Sequence, residues 1–125
     1  MEIFKEKAKN NFISGVFNER IEHLDVASSD YFKALAAVND FMLSGINLFP
    51  KNHDERFIML KENFPIFYKI TSSLFLTYRR AYTKVINKEE INLLKEKIME
   101  AFKNAGIKIP TDAEVKEYIK KALKK

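Results

Sequence analysis

The sequence predicts an all-α protein, an up-and-down bundle of four main helices with a short fifth helix at the C-terminus. Apolar residues recur every three or four positions along most of the chain, as they do in amphipathic helices. Only 3 glycines and 3 prolines occur in 125 residues, which favours helices over turn-rich sheets. Short connections between such helices make neighbours antiparallel. We expect residues 1–106 to form the bundle and residues 107–125 a connector and a basic helix.

The first two helices are predicted from their apolar stripes and from one proline. The first stripe runs from Ile3 to about Val26, and Gly15 within it predicts a possible kink or break. The polar cluster at residues 28–30 is expected to cap the second helix. This second helix is apolar around much of its circumference up to Phe49, so it should lie at the centre of the fold, and Pro50 is expected to end it.

A third helix is predicted after the connection that follows Pro50. Asn52 can cap its start, and its apolar period continues as far as Val85. Pro65 lies inside this stretch and is expected either to kink the helix or to split it. The sequence leaves both outcomes open.

The last two helices have the clearest start signals. Asn87 followed by Glu90 resembles a capping box and opens the fourth helix, which Gly106 should end. Thr111 followed by Glu114 is a second capping box and opens the short fifth helix, whose end is rich in lysine. Each of these signals can be recognised from only three or four neighbouring residues.

Composition and charge limit the function classes. The chain has no cysteine, which excludes disulfide frameworks and thiolate chemistry. Its net charge of +5 comes from 22 basic and 17 acidic side chains that are mostly interspersed, as on a solvated helical surface, whereas a dedicated nucleic-acid footprint usually clusters its charge. No apolar run approaches the length of a membrane span, and no signal peptide is recognisable at the N-terminus. We therefore expect a cytoplasmic protein.

Metal and cofactor chemistry find no support in the motifs. The two histidines, His23 and His53, belong to no helix spacing that would hold a metal ion. The three glycines are isolated and form no phosphate-binding loop. We predict no metal site, no cofactor and no assigned catalytic residue.

The candidate ligand-binding residues cluster before the fourth helix. Arg79 and Arg80, with Lys84 and Tyr82, could hold a phosphate group in a groove. His53 could line a small polar site at the start of the third helix. The alternative is structural, because arginines favour a helix C-terminus and residues 52–54 suit first-turn capping.

The order of these segments resembles the HEPN family of small helical domains. The stretch DYFKALAAVNDFMLSGINLF resembles the central second helix of that family, and NHDERFIMLKE resembles the His-Asp start of its next helix. The stretch YRRAYTKVINKEEINLLKEKI resembles its late segment of arginine and aromatic residues, which leads to a capped final helix. The similarity covers roughly residues 20–102.

The resemblance implies a homodimeric helical bundle, and two kinds of function. Some members are metal-independent ribonucleases with an Arg, four to six residues and then a His; others lack this motif, pair with a nucleotidyltransferase in toxin–antitoxin modules, or act as binding domains. Here Arg79 and Arg80 match the arginine, whereas residues 84–87 contain no histidine. We therefore expect a non-catalytic binding or partner module for a nucleotide, RNA or protein.

Two alternatives stay open at this point. An RNA-cleaving toxin could assemble its site from Arg80 with His53 or Tyr82. A scaffold that recognises only protein would use the basic C-terminus as a solubility or docking element.

Overall fold

The computed structural model describes residues 1–80 and 83–124, and all of the secondary structure in them is helical. The all-α prediction is thereby confirmed. Six helices follow one another in this part of the chain: α1 Glu2–Arg20, α2 Leu24–Ser44, α3 His53–Asn63, α4 Pro65–Arg80, α5 Lys88–Ala105 and α6 Asp112–Leu123. No described helix combines the length and the apolarity that crossing a membrane requires.

Helix α2 lies at the centre of the bundle, as its apolar circumference predicted. It contacts α1, α3, α4 and α5, while α6 packs only on α1. Helices α1 and α2 are antiparallel, since the N-terminal amine of Met1 donates to the hydroxyl of Ser44 at 3.0 Å. Between α2 and α4, the buried amide of Asn39 donates to the hydroxyl of Thr71 at 2.8 Å.

The boundary between the first two helices differs from the prediction. Helix α1 ends at Arg20 rather than near Val26, and Glu22 adopts the left-handed conformation with φ 62°. The backbone N–H of His23 then donates to the carbonyl of Asn18 at 2.9 Å, which satisfies an orphan acceptor at the helix end.

The polar cluster at residues 28–30 therefore lies within α2 and does not cap it. Ser28 is fully buried. The carboxylate of Asp30 accepts hydrogen bonds from the side chains of Ser14 and Asn18, both at 2.8 Å. These groups join α1 to α2 in place of the predicted capping role.

Helix α2 ends at Ser44, six residues before Pro50. Asn47 takes the left-handed conformation, and the N–H of Leu48 donates to the carbonyl of Leu43 at 3.0 Å. Asparagine tolerates this conformation better than most residues, so it can end a helix as glycine does. Phe49, which the stripe had placed on the buried side, is consequently exposed.

The predicted third helix is split in two at Pro65. Proline suits the first position of a helix because its missing N–H has no helical acceptor there, and Pro65 opens α4. The predicted count of four main helices plus one is therefore wrong, and α3 and α4 are separate elements. The described part of α4 ends at Arg80, and Val85, predicted in its buried stripe, is 95% exposed while Ile86 is buried.

The predicted start signals of α3, α5 and α6 and the predicted stop signal of α5 are confirmed. Asn52 caps α3, and the reciprocal hydrogen bonds of a capping box occur in Asn87 with Glu90 and in Thr111 with Glu114. Gly106 ends α5 with φ 72°. The proposed division after residue 106 stays a prediction; Ile107 and Val115, on its far side, belong to the same buried cluster as the rest of the core.

Gly15 does not break α1, which continues through it to Arg20. A Cβ atom at this position would lie 2.6 Å from two carbon atoms of the Tyr31 ring, so glycine is needed for close packing of α1 on α2. The Tyr31 hydroxyl donates to Glu19 at 2.7 Å, and burial, then Glu19, raises the pKa of this phenol far above its usual value. The ammonium of Lys95 on α5 lies 3.6 Å from the same carboxylate, so three helices meet here.

We expect Gly15→Val to lower the free energy of unfolding by about 1–3 kcal/mol, because the added carbon atoms would collide with Tyr31. Urea denaturation measures this change. Asn10→Ala, on an exposed position of the same helix, is the matched control and should cause no loss. Equal stability of Gly15→Val and the wild type would contradict the packing role.

Candidate functional site

A cluster of aromatic rings joins α2, α3 and α4 beside the predicted site residues. Phe32 stacks on Tyr78 with ring centroids 4.3 Å apart, and Phe75 lies 5.7 Å from Phe32. Phe57 on α3 meets Phe75 edge to face at 5.2 Å. We call Phe32, Phe57, Phe75 and Tyr78 the aromatic cluster.

His53 lies at the edge of the aromatic cluster, at the first position of α3. Its ring centroid is 5.9 Å from that of Phe32 and 6.1 Å from that of Phe75, both edge to face. The cap formed by Asn52 fixes the start of this helix and thereby the position of the imidazole. The structure thus brings a residue of α3 next to the end of α4.

Arg56, one turn after His53, links this histidine to α2. Its guanidinium donates to both carboxylate oxygens of Asp40, at 2.8 and 3.1 Å, in the two-pronged geometry that suits arginine and carboxylate. The third nitrogen, Nη1, lies 2.9 Å from Nδ1 of His53. The side chains of Arg56 and Asp40 are only 13% and 16% exposed.

The contact with Arg56 fixes the protonation of His53. A guanidinium has only donors, so Nδ1 must accept and the proton of the neutral ring is assigned to Nε2. Burial, and then the positive charge of Arg56, lower the pKa of His53 below its usual 6.5, while Asp40 and Asp54 oppose the shift. His53 is therefore neutral near pH 7, with its basic nitrogen already occupied.

Arg79 also borders the ring of Phe75. Its guanidinium carbon is 5.8 Å from the centroid of Phe75, within the range of a cation–π interaction. Both Arg79 and His53 therefore border Phe75. Neither Arg79 nor Arg80 has a carboxylate oxygen within 4.0 Å of its guanidinium nitrogens among the described residues.

The other candidate residues lie apart from this group. Arg80 shares the exposed side of α4 with Ser73 and Leu76, seven and four residues earlier. The backbone N–H of Lys84 donates to the carbonyl of Arg80 at 2.8 Å, the spacing of an α-helical hydrogen bond, although α4 is described only as far as Arg80. The candidate Tyr82 lies outside the described residues.

Lys84 also lines an open cleft of about 450 Å³ at this end of the bundle. Glu22 and Asp25, from the connection between α1 and α2 and the start of α2, line the same cleft. Their negative charge would oppose a phosphate there, whereas Arg79 has no carboxylate oxygen within 4.0 Å among the described residues. Arg79 and His53, rather than Lys84, therefore form the centre of the candidate site.

Sequence reasoning missed Asp40, Arg56 and Phe75. Arg56 follows His53 by three residues and Phe75 precedes Arg79 by four, spacings at which helical neighbours meet, so these two could have been found. Asp40 lies on another helix, and no local pattern links it to Arg56. Within residues 1–80 and 83–124, no group of three or more acidic or histidine side chains could hold a metal ion.

Comparison of the chain with models of protein families, with curated proteins and with solved structures finds no match. The HEPN resemblance consequently stays a prediction that depends on the residues quoted for it.

We expect Arg56→Met to lower the free energy of unfolding by about 3 kcal/mol, because it leaves the mostly buried carboxylate of Asp40 without its partner. Chemical denaturation followed by circular dichroism measures the loss. Arg20→Met removes the exposed partner of Asp112 and should change stability little. Equal effects of the two substitutions would show that the Asp40 pair is no more important than a surface pair.

We expect stability to fall as the pH drops through the window below 6.5. Because the pKa of His53 is lower in the folded than in the unfolded chain, the unfolded chain binds more protons in this window. Urea unfolding between about pH 5 and pH 8 measures the free energy of unfolding of the wild type and of His53→Gln, and the difference between the two should change with pH. His23 is present in both proteins, so its contribution to the pH dependence cancels in the comparison. A difference that does not vary with pH would refute the assignment.

Proposed function

We propose that this protein is a non-catalytic binding module of HEPN type, which holds an RNA strand or a nucleotide beside the aromatic cluster. The observation that carries the proposal is Arg79, which lies over Phe75, shares this ring with His53, and has no carboxylate oxygen within 4.0 Å of its guanidinium nitrogens among the described residues. Cationic groups beside aromatic rings suit a nucleic acid, because they can contact phosphate while the ring accepts a base.

Each group has a distinct role in the proposed site. The contact with Phe75 orients the guanidinium of Arg79 and leaves its N–H groups for phosphate oxygens. Arg80, exposed one residue later, adds positive charge at the same helix end. The Nε2–H of neutral His53 is a hydrogen-bond donor. Together these groups favour an anionic ligand.

The state of His53 supports binding rather than cleavage. A general base must have a free nitrogen to accept a proton, and Nδ1 of His53 already accepts from Arg56. We therefore do not adopt the RNA-cleaving alternative.

We further propose that the protein forms a homodimer. A second partner, a nucleotidyltransferase or another protein, is proposed only because the sequence resembles the HEPN family. Support for the dimer comes from α4, where Ile66 and Leu76 are exposed large apolar residues. They lie ten residues apart, about 2.8 helical turns, so their directions differ by about 80° and both face the same half of the helix. Burying this side against a second copy would remove apolar surface from water.

We expect the double variant Arg79→Ala, Arg80→Ala to bind a labelled single-stranded RNA roughly tenfold more weakly than the wild type at low salt. Fluorescence anisotropy measures affinity, and the slope of log affinity against log salt should fall by about 0.7 for each phosphate that the variant no longer neutralises. Lys103→Ala, Lys108→Ala removes the same charge from exposed positions elsewhere and is the matched control.

Two outcomes would contradict the proposal. Equal loss of binding in the arginine and the lysine variants would mean that only net charge matters. RNA cleavage by the wild type that the arginine variant loses would show that the module is an enzyme. Circular dichroism of each variant ensures that a loss of binding does not come from unfolding.

A further inference from the structure

Helix α6 is attached to the bundle along one side only. Among the described helices it packs against α1 alone. Val115, near its start, is buried in the core, and Arg20 of α1 contacts Asp112 in its first turn. Its later turns have no second helix to cover them.

The later turns of α6 form an apolar groove with α1. The groove has a volume of about 170 Å³ and is lined by Ser14, Phe17, Tyr118, Ile119, Ala122 and Leu123. Leu123 is 79% exposed and Tyr118 is 40% exposed, so two large side chains at its edge stay in contact with water. Ser14 donates its hydroxyl to Asp30 and offers no free donor to a ligand. The groove is thus suited to apolar side chains.

The same turns of α6 carry only positive charge. Lys120, Lys121 and Lys124 are exposed, and none has a carboxylate oxygen within 4.0 Å among the described residues. Lys116, by contrast, pairs with Asp112 at 3.4 Å. Residues 118–124 contain no acidic side chain. Lys120 lies one turn before Leu123 and so borders the groove, whereas Lys121 lines a separate depression with Glu114 and Glu117.

We propose that this groove docks an acidic amphipathic helix of a partner protein. One or two large apolar side chains of the partner would fill the space between Phe17 and Leu123. Its carboxylates would meet Lys120 beside Leu123, and the charges of Lys121 and Lys124 would add to the attraction at longer range. Helices recognised in grooves use apolar residues at spacings of three, four and seven. The charge complementarity would mainly speed association and select acidic partners.

An anionic membrane is the other surface that a basic amphipathic helix could meet, and the structure favours it less. Phe17 and Ile119 lie inside a concave groove between two helices, where a side chain can enter more easily than a lipid layer. Glu114 and Glu117 lie on α6 beside Tyr118 and Lys121, and anionic lipid would repel them. A peptide helix on the last turns would avoid these carboxylates.

The test selects peptides that bind the full-length chain. A displayed library of helix-forming peptides of about 14 residues, close to four turns, is bound to the wild type after counter-selection on Leu123→Glu. Enriched peptides should be net acidic, with apolar residues on one side. An enriched peptide should bind Leu123→Glu, and also Lys120→Glu, Lys124→Glu, at least about tenfold more weakly in fluorescence anisotropy.

Controls separate this site from other exposed surfaces and from the proposed function. Leu93→Glu places the same new charge on an exposed leucine of α5 and should leave peptide binding unchanged. Arg79→Ala, Arg80→Ala should also leave it unchanged, whether or not that variant loses RNA binding. Circular dichroism checks that each variant keeps its helices.

Three results would overturn the proposal. The first is that no peptide is enriched over the Leu123→Glu counter-selection. The second is that the enriched peptides are basic or lack an apolar side. The third is that vesicles of phosphatidylserine and phosphatidylcholine bind the wild type but not Leu123→Glu, while no peptide does, which would make the groove a lipid-binding surface.

Discussion

The contact between the Tyr31 ring and the bare backbone of Gly15 determines how closely α1 and α2 approach. A large ring in this position needs a neighbour without a side chain and a polar partner for its hydroxyl. Gly15 meets the first requirement, and Glu19, one turn later on α1, meets the second. Lys95 connects the same carboxylate to α5. One aromatic side chain on the central helix thereby positions two of its neighbours.

The next residue on α2, Phe32, organises the contact with α4. Successive helical residues point about 100° apart, so Phe32 turns away from α1 and stacks on Tyr78. The aromatic cluster that supports Arg79 and His53 is thus built on the same helix turn as the core contact with α1. Core and candidate site are not independent, because a shift of this turn would disturb both.

The sequence predicted those features whose physical cause is local. The caps at Asn52 and Asn87 depend on one side chain and an amide three residues away, so four neighbouring residues contain all the information. The ends of α1 and α2 escaped prediction because Glu22 and Asn47 take a conformation that their residue types adopt only sometimes. The arginines were found by residue type, whereas the link from Arg56 to Asp40 joins separate helices and leaves no local pattern.

The hydrogen bond from Asn39 to Thr71 affects how α4 can lie along α2. Both side chains are buried, and Oδ1 of Asn39 has no hydrogen-bond partner among the described residues, so loss of the bond to Thr71 would leave the whole amide unpaired at a cost in free energy. A slip of α4 by one turn would move it about 5.4 Å, separate these two groups and carry Phe75 and Arg79 away from His53. Apolar side chains alone would tolerate such a slip more readily. The hydrogen bond between Asn39 and Thr71 therefore fixes the register of α4 against α2, because the bond forms in only one alignment of the two helices.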